Sequence, residues 1–233
     1  MKLLNMTEIN IQYQDLLTHK FKKPVKPPQQ RSKGVHLSDI LRYLHFGSLP
    51  PALDDKTKKA EMLNATLELD DPTVMNLRMV LGMAWESFIV GFMPDVAWQP
   101  KELVLNGIAG SMDAFEWADY DDVPVIHEFK YTHKSCRERL GPKILEDTLW
   151  MWQIKGYAQM YHITQNGSGF TPQAQLHVCY GNGDYNQPFR ERYIKYLIEF
   201  DPEELESFWQ RAILPNKQKA MAWKREQEEA LNA

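Results

Sequence analysis

One short run constrains this chain more than any other: Val125-Ile126-His127-Glu128-Phe129-Lys130. Its β-branched and aromatic residues favour a strand. Strand side chains alternate between faces, so Glu128 and Lys130 share one face while His127 and Phe129 take the other. A carboxylate and an ammonium side by side on an otherwise apolar strand are costly to bury. A fold containing this strand must either expose that face, as a surface ion pair worth little to stability, or use the pair for chemistry.

Other carboxyls and amides point to the second choice. Asp113 follows Gly110-Ser111-Met112, one strand earlier. An antiparallel neighbour brings it close to Glu128. Two carboxylates and the main-chain carbonyl of Phe129 then offer hard oxygen ligands suited to Mg²⁺ or Mn²⁺. Lys130 would sit beside such an ion, placed to orient a water or to stabilise charge developing on a phosphate. Glu86 lies in a helix with Gly82, Met83, Ile89 and Val90 on its own face, where it needs a cation or a metal to be covered. Gln153 and Tyr157 are four residues apart and share a helix face with Trp150 and Tyr161. A covered Gln153 amide needs a partner, and a phosphate-side water or Lys130 would serve. Each residue also has a plain structural reading: an edge-strand ion pair, a turn aspartate, a snorkelling glutamate, an aromatic stripe on a sheet.

The rest of the chain supplies elements to carry these groups. Ser38 reads as the cap of a short amphipathic helix ending near Gly47. Residues 50–72 are polar and loop-like. Apolar spacing predicts a helix from Val74 to Met93. Strands are expected over Glu102–Phe115, kinked at Gly107 and Gly110, and over Pro124–Tyr131. A helix is expected over Leu145–His162. Strands over Gln175–Tyr180 and Arg190–Phe200 follow, with a turn from Gly181 to Pro188. Asp201 caps a helix running to about Leu214, and a charged helix covers Lys217–Leu231. This order predicts an α/β (α+β) domain with a mixed central β-sheet flanked by α-helices.

The 233 residues suit one domain with decorated ends: a basic, proline-containing arm over 1–35, a core over 36–214 and a charged helix over 215–233. The arm carries Lys20, Lys22, Lys23, Lys26, Arg31 and Lys33 and has no acid between residues 16 and 38. A net charge of −4 does not advertise a nucleic-acid binder, but clustered metal-binding carboxylates would lower the total. The two cysteines, Cys136 and Cys179, are too few for a Cys₄ iron–sulfur cluster. No signal-like start or membrane-length apolar run is visible, so reduced thiols and a cytoplasmic location are expected.

Taken in order, these residues resemble the PD-(D/E)XK nuclease superfamily, in particular its RecB-type and phage-exonuclease branch. Gly82-Met83-Ala84-Trp85-Glu86 is similar to the first-helix motif. Gly110-Ser111-Met112-Asp113 is similar to the metal-binding Asp motif, with Met112 where the nominal proline stands. Glu128-Phe129-Lys130 is similar to the Glu-x-Lys core, and Gln153-Ile154-Lys155-Gly156-Tyr157 to the Gln-x-x-x-Tyr motif. A weaker likeness runs from His36 to Tyr43. The resemblance covers about residues 36–200 and implies a restriction-endonuclease-like core. It implies Glu86, Asp113 and Glu128 as metal ligands, Lys130 as catalytic, and Gln153 with Tyr157 as supports for the site and a DNA end.

The function expected is that of a metal-dependent DNA exonuclease acting in end processing or recombination, in a phage or mobile-element setting and hence in the host cytoplasm. Its partners would be DNA, as double-stranded ends or single strands, and a recombinase, annealing protein or helicase on a separate chain. Lys134, Arg137, Arg139 and Lys143, just after the Glu-x-Lys strand, are the expected phosphate contacts. The alternatives are an endonuclease of the same fold, a silent nucleic-acid-binding or assembly module, and an interaction protein that docks through its acidic C-terminal helices.

Overall fold

The structure, a computed structural model, describes residues 1–9, 34–47, 77–93, 95–117, 123–146, 148–164, 171–184 and 191–231. The basic stretch from Lys20 to Lys33 and the polar stretch 50–72 lie outside these.

Strand β1 is Lys2–Ile9, β2 is Val35–His36, and helix α1 is Leu37–Arg42, continued by a π-helical turn over Tyr43–Gly47. Helix α2 is Leu77–Gly91. Strands β3 (Ala97–Trp98), β4 (Leu103–Leu105), β5 (Ile108–Gly110), β6 (Ala114–Trp117) and β7 (Pro124–Thr132) follow. Two 3₁₀ turns, Arg137–Arg139 and Gly141–Glu146, lead into helix α3, Thr148–Thr164. Strands β8 (Gln173–Tyr180) and β9 (Arg192–Glu199) precede α4 (Pro202–Phe208) and α5 (Lys217–Leu231).

The main sheet has six strands in the order β1-β9-β8-β7-β6-β3. β7 and β8 run parallel and the other neighbours antiparallel, so the sheet is mixed, as the sequence predicts. A parallel pair needs a crossover, and α3 supplies it. Ile126, Leu176, Val178 and Ile194 pack in one core with Met151, Ile154 and Ala158 of α3. On the opposite face Phe129 joins Ile89 and Val90 of α2 in a second core, with Tyr193 against it. Helices therefore flank both faces, and β7 is covered on each. Gly156 lets α3 pack closely against α1: a Cβ there would stand 2.4 Å from Leu37 Cδ2.

Several expectations are corrected. The single kinked strand over 102–115 is a separate hairpin, β4–β5, followed by β6 in the main sheet. Asn106 and Gly107 both have positive φ, at 53° and 68°, which makes them the two-residue hairpin turn an Asn-Gly pair favours. The 1–35 arm contains a true strand, β1, paired with β9 from Lys2↔Glu199 to Ile9↔Tyr193. The cap of α1 is His36 rather than Ser38, and the His36 N–H donates to Asp39 Oδ2 at 3.3 Å. At the start of α4, Asp201 does cap, accepting from the Glu203 N–H at 2.9 Å.

Candidate active site

The register of β6 on β7 runs Ala114↔His127 to Trp117↔Pro124. One step outward, Asp113 falls beside Glu128. The Phe129 N–H donates to Asp113 Oδ2 at 2.9 Å and anchors it there. Within a strand, a residue's N–H and C=O leave on the same edge. The Phe129 carbonyl therefore faces the Asp113 side as well.

Glu128 and Lys130 point toward α3, and their side chains are only 1% and 19% exposed. That rules out a surface ion pair. Lys130 Nζ contacts Glu128 Oε1 and donates to Gln153 Oε1 at 3.0 Å. Gln153 Nε2 donates to Glu128 Oε1 at 2.7 Å and to Tyr157 OH at 3.2 Å. Both ends of the Gln153 amide are thus engaged, which fixes which end faces Lys130. The other Glu128 oxygen, Oε2, is buried and meets no N–H donor, and the Glu128 carboxyl lies within hydrogen-bonding reach of Asp113.

Glu86 arrives from α2. Trp98 Nε1 donates to its Oε1 at 2.5 Å. The three acids feel one another. Burial, and then Asp113, push the Glu86 carboxyl up to about 7. Burial, and then Asp113, push Glu128 up to about 8, against the pull of Lys130. Asp113 is also raised by burial, opposed by Lys130 and by the Phe129 N–H. Burial disfavours the Lys130 ammonium, but Glu128, Asp113 and Glu86 outweigh it and raise its pKa.

Among the described residues, no three His, Cys, Asp or Glu side chains converge as a ready-made ligand cage. The fit to a divalent ion is one of donor chemistry. Glu86, Asp113 and Glu128 are near enough to shift one another's pKa, and with the Phe129 carbonyl they offer only hard oxygens.

The structure therefore brings Glu86, Asp113, Glu128, Phe129, Lys130, Gln153 and Tyr157 together. It treats the basic residues differently. Lys134, Arg137 and Lys143 are exposed beyond the end of β7. Arg139 is half-buried, its guanidinium 5.3 Å from the Trp150 ring centre and bonded to the Ser135 carbonyl at 3.4 Å. The loop is pinned toward the turn after β8, with the Cys136 N–H donating to the Gly183 carbonyl at 2.8 Å.

Two contributors were not foreseen from sequence. Trp98 grips Glu86, and the Gln99 N–H donates to the Asp113 carbonyl at 2.8 Å. A strand of two residues has no periodicity to read. Behind β7, His127 Nδ1 and His177 Nε2 lie 2.9 Å apart, and His177 Nδ1 is 2.6 Å from Tyr193 OH. Burial, then His127 and Lys195, hold His177 well below the usual histidine range, so its ring is neutral. His127 Nε2 lies 3.1 Å from Glu116 Oε1 but off the line of a good hydrogen bond.

No protein-family model matches this sequence, and no curated protein matches it. Among solved structures, LHK-Exo in complex with dAMP aligns over 84% of this chain and 94% of its own, at 10% identity and a TM-score of 0.39. A likeness this distant carries no argument about fold or function. Among the described residues, no helix is long and apolar enough to cross a membrane. Cys136 and Cys179 are both buried and free.

Proposed function

We propose that this chain is a Mg²⁺- or Mn²⁺-dependent deoxyribonuclease that hydrolyses phosphodiester bonds, acting as an exonuclease on DNA ends. The observation that carries the reading is the Glu128 carboxyl. It is fully covered, gripped through one oxygen by Lys130 and Gln153, and its second oxygen meets no N–H donor beside Asp113. A buried acceptor without a donor costs about 1–3 kcal/mol. Crowding by like charge adds to that cost. An arrangement of this kind persists where a ligand offsets it.

Glu86, Asp113, Glu128 and the Phe129 carbonyl would hold the ion. When bound, it supplies a Lewis acid that makes water a nucleophile near neutral pH and offsets charge on the phosphate. The chain's own groups do the rest. Lys130 keeps its proton because three acids surround it, and so it offers a fixed positive charge to the scissile phosphate. Gln153 accepts from Lys130 and donates to Glu128, so one amide sets the orientation of both. Tyr157 steadies Gln153 from one helical turn away. Action at ends, rather than within the strand, rests on the Gln153-x-x-x-Tyr157 likeness. Lys134, Arg137 and Lys143 remain candidates for phosphate contact.

The test is incubation of the purified chain with end-labelled linear duplex and closed circular duplex, with Mg²⁺ or Mn²⁺ and with chelator. Nucleotide release from linear DNA alone is expected, lost with chelator and reduced roughly 10²–10³-fold in Lys130→Ala. Full activity in excess chelator would remove the reading. Cutting of circles would favour the endonuclease.

A further inference from the structure

Glu86 reaches the acid cluster from α2, which packs on the face of β7 opposite Gln153. Its carboxyl therefore needs an independent hold. The pairing Trp98↔Ala114 sets Gln99 next to Asp113, and the chain turns away at Pro100. Gln99 has φ 50°. A side chain with a Cβ is disfavoured in this left-handed region, and a following proline restricts the residue further. Glycine would sit there more easily. The residue present instead places a backbone N–H on the Asp113 carbonyl at 2.8 Å, directly after an indole that donates to Glu86 at 2.5 Å. The Gln99 side chain also bonds the Glu86 carboxyl.

From this geometry we infer that Trp98 and Gln99 are positioning residues that set the distance between the Glu86 and Asp113 carboxyls for a shared divalent cation. The inference rests on the metal-nuclease reading. Neither residue touches the ion or the DNA. They act through Glu86 and the backbone of Asp113, as outer partners of metal ligands commonly do.

The experiment is calorimetric titration of the full chain with Mn²⁺ alone, alongside metal-free melting curves. The variants are Trp98→Phe, Gln99→Gly, Glu86→Gln and the double variant Glu86→Gln/Trp98→Phe. Trp98→Phe keeps a ring but removes the donor, and is expected to weaken Mn²⁺ binding about ten- to a hundredfold. Gln99→Gly relieves the backbone, so the metal-free melting temperature should hold or rise while Mn²⁺ affinity falls about tenfold. The double variant should bind no worse than Glu86→Gln alone, because Trp98 acts only through Glu86. Wild-type Mn²⁺ affinity in both single clasp variants overturns the inference, as does a loss that merely tracks a lower melting temperature. If Trp98→Phe fails to fold, Gln99→Gly decides the matter. Absence of Mn²⁺ binding in the wild type would instead overturn the metal reading beneath it.

Discussion

The two faces of β7 hold polar groups in opposite ways. Toward α3, Glu128 and Lys130 are ionisable groups under cover, crowded by neighbouring acids. Toward α2, His127 is fully buried and His177 nearly so, yet their rings bond to each other and His177 bonds on to Tyr193. His127 and Glu128 are adjacent in sequence. A buried atom without a well-aligned partner occurs on both faces; what sets the α3 face apart is the crowding of acids around it. The histidine face pairs its rings with each other and with Tyr193, contacts that contribute stability. The acidic face is where, under the proposed function, a further cation would sit.

That contrast is sharpest in a crossover of effects. Glu128→Gln and Lys130→Met should each lower nuclease turnover by roughly 10³-fold, because these groups act as a unit. Neither should prevent folding. His177→Ala should leave turnover per folded molecule within a few-fold. Single-turnover assays beside melting curves measure both. A His177→Ala protein that folds normally but is inactive would break the division between the faces.

The next largest effect is on stability against pH. Glu128 moves from an ordinary 4.5 to about 8 on folding, and Glu86 to about 7. Between those limits the folded, metal-free chain binds more protons than the unfolded chain. The stability contributed by these two carboxyls should therefore fall as pH rises from about 4.5 through about 8, by on the order of a few kcal/mol, opposed below about 6.5 by His177, whose depressed pKa adds stability as pH rises. Glu116 and Glu204 are shifted downward and give up their contributions only below the ordinary carboxylate range. Glu128→Gln, or excess Mn²⁺, should flatten the slope. A wild-type melting profile superimposable on that of Glu128→Gln would remove the claim that this carboxyl is under stress.

Smaller again is the cost of opening the histidine face. His177→Ala leaves partners on His127 and Tyr193 unmet, a loss of about 1–3 kcal/mol by denaturant titration. Smallest is the loop after β7. Replacing Lys134 and Arg137 with Ala should reduce the salt dependence of DNA binding by up to about two counterions and leave stability unchanged. Arg139 should behave differently, because its charge is spent on Trp150 and Ser135. An unchanged salt slope in the double variant would move the DNA track away from this loop.

What could be read from the sequence followed the range of each signal. The period of two put Glu128 and Lys130 on one face, and a helical spacing of four put Gln153 beneath Tyr157. Asp113 could be read because its strand precedes β7 closely in the chain. The Asn106-Gly107 signal was present, but a kinked strand and a hairpin share the same apolar pattern until the turn is weighed. Trp98 and Gln99 carried no periodic signal at all. The bond from His127 to His177 depends on β7 and β8 lying parallel, which local pattern does not specify. Ser38 is a better intrinsic cap than His36, yet the reach of Asp39 back to the His36 backbone moved the helix start.

The pairing of β1 with β9 has a consequence in time rather than in space. Lys2 meets Glu199, so this edge of the sheet closes a loop of nearly the whole described chain. Such closure is slow and yields no contacts until late, whereas β6 and β7 are near neighbours along the chain. We expect the acid cluster around β7 to form while Lys2–Ile9 still waits for its partner. During that wait an unpaired β9 edge is exposed, which is the stage most open to pairing between molecules. Pulse-labelled hydrogen exchange during refolding would show it, and β1 amides protected as early as those of β7 would contradict this order.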